Sequence, residues 1–184
     1  MLILARHGRT EANAAGLLLG RADVALDEVG RAQAVALPGR VGRPARVISS
    51  PLQRCRDTAA AFGLAVEVDD RWVELDYGDY DRLPLAEVPA EVWSTWRRDP
   101  DFRPPNGESL MELGDRVRAA LDELSEQILG ADEPGDVVVV THVSPIKAAI
   151  AWVLRTDEGA AWRMRVGVAS VSRIAIGSNG PVLH

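Results

Sequence analysis

Apolar residues fall along this chain in two rhythms. Leu2-Ile3-Leu4-Ala5 and Val137-Val138-Val139-Val140 are unbroken apolar runs, the pattern of strands buried on both faces. Val47-Ile48 is a shorter run of the same kind, whereas 66–68 and 168–176 alternate apolar and polar positions as half-covered strands do. By contrast, Leu110, Leu113, Val117, Leu121, Leu124 and Ile128 step by three and four, with Glu112, Arg116, Asp122, Glu123 and Glu126 opposite, which predicts a long amphipathic helix. Capping and breaking residues predict the other helices. Thr10 to Ala15 forms a short one ended by Gly16, and Asp27 caps a second that Pro38-Gly39 stops. Ser50 caps and Pro51 opens a helix over 52–62, Ser144-Pro145 open one over 146–154, and a last helix lies around 159–164.

The chemistry gathers at the ends of the two apolar runs. Arg6-His7-Gly8-Arg9-Thr10 leaves the first, and His142 leaves the second after Thr141. Only three histidines are present, and the third, His184, is the last residue. In open α/β sheets ligands bind in the crevice outside the strand ends, so parallel neighbours would point both internal imidazoles into one crevice. Gly8 would let the backbone approach a ligand, and the helix amides after Thr10, like those of Val143 and Ser144 beside His142, favour an anion. Asn13 either turns its amide to that anion or caps its helix. Arg54, on the first turn of a helix that begins at a strand exit, can grip phosphate oxygens in a bidentate fork.

Two further segments bear on the crevice. The loop Trp72 to Asp81 is aromatic and holds four acids, Glu74, Asp76, Asp79 and Asp81, among which spacing does not choose. An apolar wall there would raise a carboxyl pKa and suit it to proton donation. The stretch 80–106 is broken by Pro84, Pro89, Pro100, Pro104 and Pro105 and carries Trp93 and Trp96 on one helical face. It reads equally as a cap over a site or as two core tryptophans covering a sheet edge. Leu17, Leu18 and Leu19 either fold over the crevice or pack on the core.

Composition narrows the class. With 184 residues, 47% hydrophobic and 26% charged, the chain is expected to form one soluble domain over 1–184. A formal charge of −6 argues against a broad nucleic-acid or anionic-membrane surface, so an anion site must be local. The single Cys55 forms no internal disulfide, and no cluster of Cys and His has metal-ligand spacing. No signal peptide or membrane-spanning run is evident, and a cytoplasmic enzyme is the expectation.

Taken together, Arg6-His7-Gly8-Arg9-Thr10 with Asn13, Leu26 through Gly30 to Gln33-Ala34, Ser49-Ser50-Pro51-Leu52-Gln53-Arg54 with Thr58-Ala59, Glu74 with Tyr77-Gly78, Gly107-Glu108-Ser109 and Val140-Thr141-His142 resemble the histidine phosphatase, or phosphoglycerate mutase-like, family. The resemblance implies a three-layer α/β fold, a mostly parallel central sheet with helices on both faces. It implies a phosphoric monoester hydrolase of the histidine acid phosphatase type, without metal or cofactor, acting on a small phosphomonoester as a monomer or homodimer. By the same resemblance His7 becomes phosphohistidine, Arg6, Arg54 and His142 bind the phosphoryl group, Asn13 adds a contact and Glu74 gives the proton. Tyr80 stands where many members have Trp, and Arg82 where glycine is usual. A cofactor-dependent phosphoglycerate mutase is the alternative, though the cap is brief for one, and a non-catalytic phospho-ligand-binding domain is the third reading. Leu17 to Leu19, Trp93 and Trp96 hint at an apolar or ring-bearing leaving group.

Overall fold

A computed structural model describes residues 1–133 and 135–184. In chain order its elements are β1 (Leu2–Arg6), α1 (Glu11–Ala14), α2 (Glu28–Val41), β2 (Arg46–Ser49), α3 (Gln53–Ala60), β3 (Val66–Val68), α4 (Ala90–Arg98), α5 (Leu110–Leu129), β4 (Val137–Thr141), α6 (Val143–Leu154), β5 (Val171–Gly177) and β6 (Gly180–Leu183). The six strands form one sheet in the order β3-β2-β4-β1-β5-β6. The four strands from β3 to β1 run parallel, and β5 and β6 are antiparallel additions on one side.

The unbroken apolar runs have the expected cause. Leu2, Leu4, Val137 and Val139 face α5 and α6, while Ile3, Ala5, Val138 and Val140 face Leu37 of α2 and Cys55 and Ala59 of α3. Every residue of β4 is thus covered, and three layers result. The β1–β4 register pairs Arg6 with Thr141, so His7 and His142 leave the sheet side by side. Ser50 leaves the next parallel strand, β2, at the same edge. Full burial of each such aliphatic side chain contributes about 1.5–3 kcal/mol, so the strands that carry these exits are firmly held.

Several boundaries differ from the sequence reading. Pro38 does not stop α2, which runs on to Val41, because a proline near a helix end removes one hydrogen bond without preventing the following residues from turning helically. Strand β5 starts at Val171 rather than 168, because Ala169 takes a positive φ of 51° in a turn closed by Ser170 N–H donating to the Gly167 carbonyl. The segment after it was not expected to be extended. Gly177 pairs with Gly180 across Ser178-Asn179 in a tight hairpin where Gly180 takes a positive φ of 101°, just after Asn179, and Pro181 is tolerated because β6 is an edge strand. The last predicted helix is a 3-10 turn over Glu158–Arg163. Arg82, at the position where a glycine was expected, has φ 69°, the left-handed conformation glycine favours.

Candidate active site

His7 is buried and directed by its neighbours. Its backbone N–H donates to the Thr141 carbonyl, and its Nδ1 lies 2.7 Å from the Gly8 carbonyl. A carbonyl can only accept, so Nδ1 carries the hydrogen and Nε2 keeps its lone pair. His142 is wholly buried, its ring centroid 5.2 Å from that of His7, with Nε2 2.7 Å from Ser50 Oγ and 3.4 Å from Cys55 Sγ.

Two guanidiniums flank the pair. Arg54 has no exposed surface, and it donates from Nη2 to the Gly20 carbonyl at 2.7 Å and from Nη1 to the Ala22 carbonyl at 2.9 Å. Arg6 donates from Nη1 to the Val166 carbonyl at 2.9 Å. Among the described residues neither pairs with a carboxylate, and the Nε of each is buried without an acceptor. Burial lowers the pKa of both guanidiniums from the ordinary value. Cations drawn out of water without an ion-pair partner are costly, so this geometry suits an incoming anion.

Among the four acids of the loop it is Glu74 that is buried, 3% exposed, against these groups. Its carboxylate accepts from the backbone N–H of Leu75 at 2.7 Å, of Ser144 at 3.2 Å and of Val143 at 3.1 Å. The start of α6 therefore holds a carboxylate, as a helix N-terminus should. Arg116 fixes the loop from behind, donating to the Glu74 and Arg71 carbonyls and pairing with Glu108 in a two-pronged contact.

Three expected anion contacts are placed differently. The Val143 N–H is engaged by Glu74, so here it holds the acid instead of a phosphate oxygen. At Gly8 the N–H donates to Thr58 Oγ1, and a Cβ would stand 2.4 Å from the Gly30 carbonyl. The missing side chain thus serves the close approach of α2 to the strand exit. Asn13 is the N3 residue of a capping box, its Oδ1 accepting from the Thr10 N–H, which leaves its amide NH2 as the group free to donate. Ser50 is likewise no helix cap, since α3 starts at Gln53 after Leu52.

Sequence reasoning passed over Lys147 and left Asp81 undistinguished among the four acids of the loop. Asp81 accepts from Gly20 N–H at 2.8 Å and Ala22 N–H at 2.9 Å, the same two residues whose carbonyls hold Arg54. No spacing rule reveals a link across that many residues. Beside Glu74 opens a pocket lined by Leu75, Tyr77, Trp93, Trp96, Trp162 and Lys147. Trp93 stacks on Trp96 at 5.7 Å, Trp96 is core, and both line the pocket. Leu18 lines the pocket and Leu19 is buried, which answers the question left by that loop. Among the described residues no group of three or more His, Cys, Asp or Glu is placed to hold a metal ion, and no helix is long and apolar enough to cross a membrane.

A sheet of this order with paired histidines and unpaired arginines at its strand exits defines a class, and the sequence carries the same signature: residues 2–184 match the histidine phosphatase superfamily (branch 1), to which the chain belongs. A bifunctional protein of Mycobacterium tuberculosis is 39% identical over 181 residues, 93% of this chain and 49% of that protein, so the chain spans about half the length of this relative. The glucosyl-3-phosphoglycerate phosphatase of Mycobacterium tuberculosis is 36% identical, covering 84% of this chain and 75% of its own. A solved structure of mycobacterial glucosyl-3-phosphoglycerate phosphatase with VO3 has a TM-score of 0.89 at 32% identity, covering 99% of this chain and 96% of that one.

The buried histidines make stability depend on pH. Burial, and after it the Arg54 charge, hold both imidazoles well below the ordinary value of 6.5. Each is neutral when folded and takes a proton on unfolding below that value. Their contribution is complete above pH 6.5 and is lost as pH falls below it, by up to about 1.4 kcal/mol per pH unit for each histidine. Against the upward push of burial, Arg71 and Arg116 hold Asp69 and Glu108 below the ordinary carboxylate range, so those groups act at more acid pH. Urea unfolding from about pH 8 to about pH 5 is expected to show a plateau and then this decline. An unchanged free energy across that range would contradict the neutral burial of the pair.

Proposed function

We propose that this chain is a phosphomonoester hydrolase that works without metal through a phosphohistidine at His7. The observation that carries the reading is the pair of guanidiniums, buried Arg54 and half-buried Arg6, without ion-pair partners among the described residues beside an imidazole whose Nε2 is left free. A phosphoryl group supplies the missing negative charge, and the two cations with His142 take the role on its equatorial oxygens that a metal takes elsewhere. The NH2 of Asn13 is a further donor to it. Nε2 of His7 attacks phosphorus as the bond to the leaving oxygen breaks, and Glu74, entering the cycle protonated, gives that oxygen its proton. Water then attacks the phosphohistidine, gives its proton to the Glu74 carboxylate and displaces Nε2, so the cycle returns Glu74 to its starting state.

Hydrolysis is favoured over mutase chemistry by the fate of the cap arginines. Of Arg97, Arg98 and Arg103 in this brief segment, Arg97 lies over the Trp162 ring at 5.5 Å and Arg103 pairs with Glu112 at 2.8 Å, which leaves few cations to hold a phosphorylated product for a second transfer. Segment 80–106 is read as a short cap on one domain spanning 1–184. The phosphatase relatives support a small phosphorylated metabolite as substrate; such charged molecules do not cross bilayers and are met in the cytoplasm. A monomer or homodimer is sufficient for this chemistry, since every proposed group comes from one chain.

The test is trapping of the intermediate. With EDTA present, a labelled phosphomonoester quenched in alkaline denaturant is expected to leave label on the wild type and none on His7→Ala. Phosphate release that persists in His7→Ala, or that requires added metal, would overturn the reading.

A further inference from the structure

The pocket beside Glu74 carries one charge that the mechanism does not use. Lys147 lies one turn along α6 from Val143, whose N–H holds Glu74, and it lines the pocket with Leu75, Tyr77 and Ser144. It is half-buried and makes no ion pair among the described residues. The two acids nearest to that pocket are already engaged. Glu74 accepts three backbone N–H groups, and Glu158, 4% exposed, is paired with Arg118 at 2.5 Å. Burial pulls the Lys147 ammonium down from its ordinary value, a cost that an anion beside it would remove.

Where the leaving group must go follows from the proposed chemistry. Its ester oxygen sits between His7 and Glu74, because one attacks the phosphorus it leaves and the other protonates it. Beyond Glu74 the open space is this pocket, walled by rings and reached past Val143 and Ser144. We infer that Lys147 receives an anionic group on the leaving alcohol, so that the substrate is a phosphorylated hydroxy acid, with the rings of Trp93 and Tyr77 covering its apolar remainder. This rests on the phosphatase reading but makes a separate demand: the arginines recognise the phosphoryl group on any ester, whereas Lys147 distinguishes esters that carry a carboxylate. A flexible ammonium suits that task, as a point charge that can follow carboxylates at somewhat different depths.

The experiment compares 3-phosphoglycerate with glycerol 3-phosphate, which differ by a carboxylate against a hydroxymethyl group. In the wild type the acid is expected to be favoured in kcat/KM. Lys147→Met is expected to reduce the ratio about 10- to 100-fold, the worth of one charge-assisted hydrogen bond, chiefly through KM for the acid, and Lys147→Arg to restore most of it. Because a ratio is read, any common loss of activity cancels. A ratio that is unchanged in Lys147→Met, or no preference for the acid in the wild type, would overturn the assignment. Binding of the two esters to His7→Ala and to His7→Ala with Lys147→Met reads the same ratio without turnover. If the wild type hydrolyses nothing yet the binding ratio still depends on Lys147, the phosphatase reading fails and the carboxylate contact stands; if neither ratio depends on it, the contact fails.

Discussion

Replacing Arg54 with methionine is expected to lower kcat/KM for any phosphomonoester by about a thousandfold or more, the scale of losing an arginine that carries transition-state charge. The size follows from how Arg54 is held. Two carbonyls fix its plane, Asp81 fixes the loop that supplies those carbonyls, and among the described residues it forms no ion pair, so its charge is left to meet the phosphoryl oxygens. Arg54→Lys is expected to recover little, because an ammonium cannot bind both carbonyls and still present a second edge to the phosphate. Steady-state kinetics check the first claim. A second readout is the rise in melting temperature caused by orthovanadate or inorganic phosphate, which is expected in the wild type and absent in Arg54→Met. Activity within tenfold of the wild type would mean that the phosphoryl group binds elsewhere.

For Glu74→Gln the expected result depends on the leaving group. With an alkyl phosphate, whose departing alkoxide needs a proton, kcat is expected to fall about a hundredfold to ten-thousandfold. With p-nitrophenyl phosphate, whose phenolate leaves unaided, the first transfer survives while attack of water loses its base, so a burst of nitrophenolate followed by a slow phase is expected, with phosphoenzyme accumulating. Equal slowing of both substrates without a burst would assign Glu74 a structural part only.

How much of this was legible in the sequence differs from element to element. The strands β1 and β4 announce themselves because each is covered on both faces, and the histidines that follow them are placed by chain continuity alone. Glu74 could not be picked from its three acidic neighbours, because what selects it is the amide pair of Val143 and Ser144, 69 and 70 residues away. The packing demand at Gly8 was hidden for the same reason: the atom that forbids a Cβ there belongs to Gly30 on another element. Asn179-Gly180 is a different case, a local turn signal that was present and overlooked. Local rules thus reach the groups that chain order delivers to the crevice, and tertiary contacts decide which atoms those groups turn toward it.

The packing of Cys55 against the His142 ring has a consequence for watching the protein move. The chain has one sulfhydryl, it is fully buried, and burial keeps it in the unreactive thiol form. A thiol reagent can reach it only after α3 has lifted from the strand exits, so the rate of its modification is a clock for opening of the crevice itself. Loading the anion receptor should slow that clock, and because no other cysteine competes, the chain supplies its own single-site reporter of occupancy.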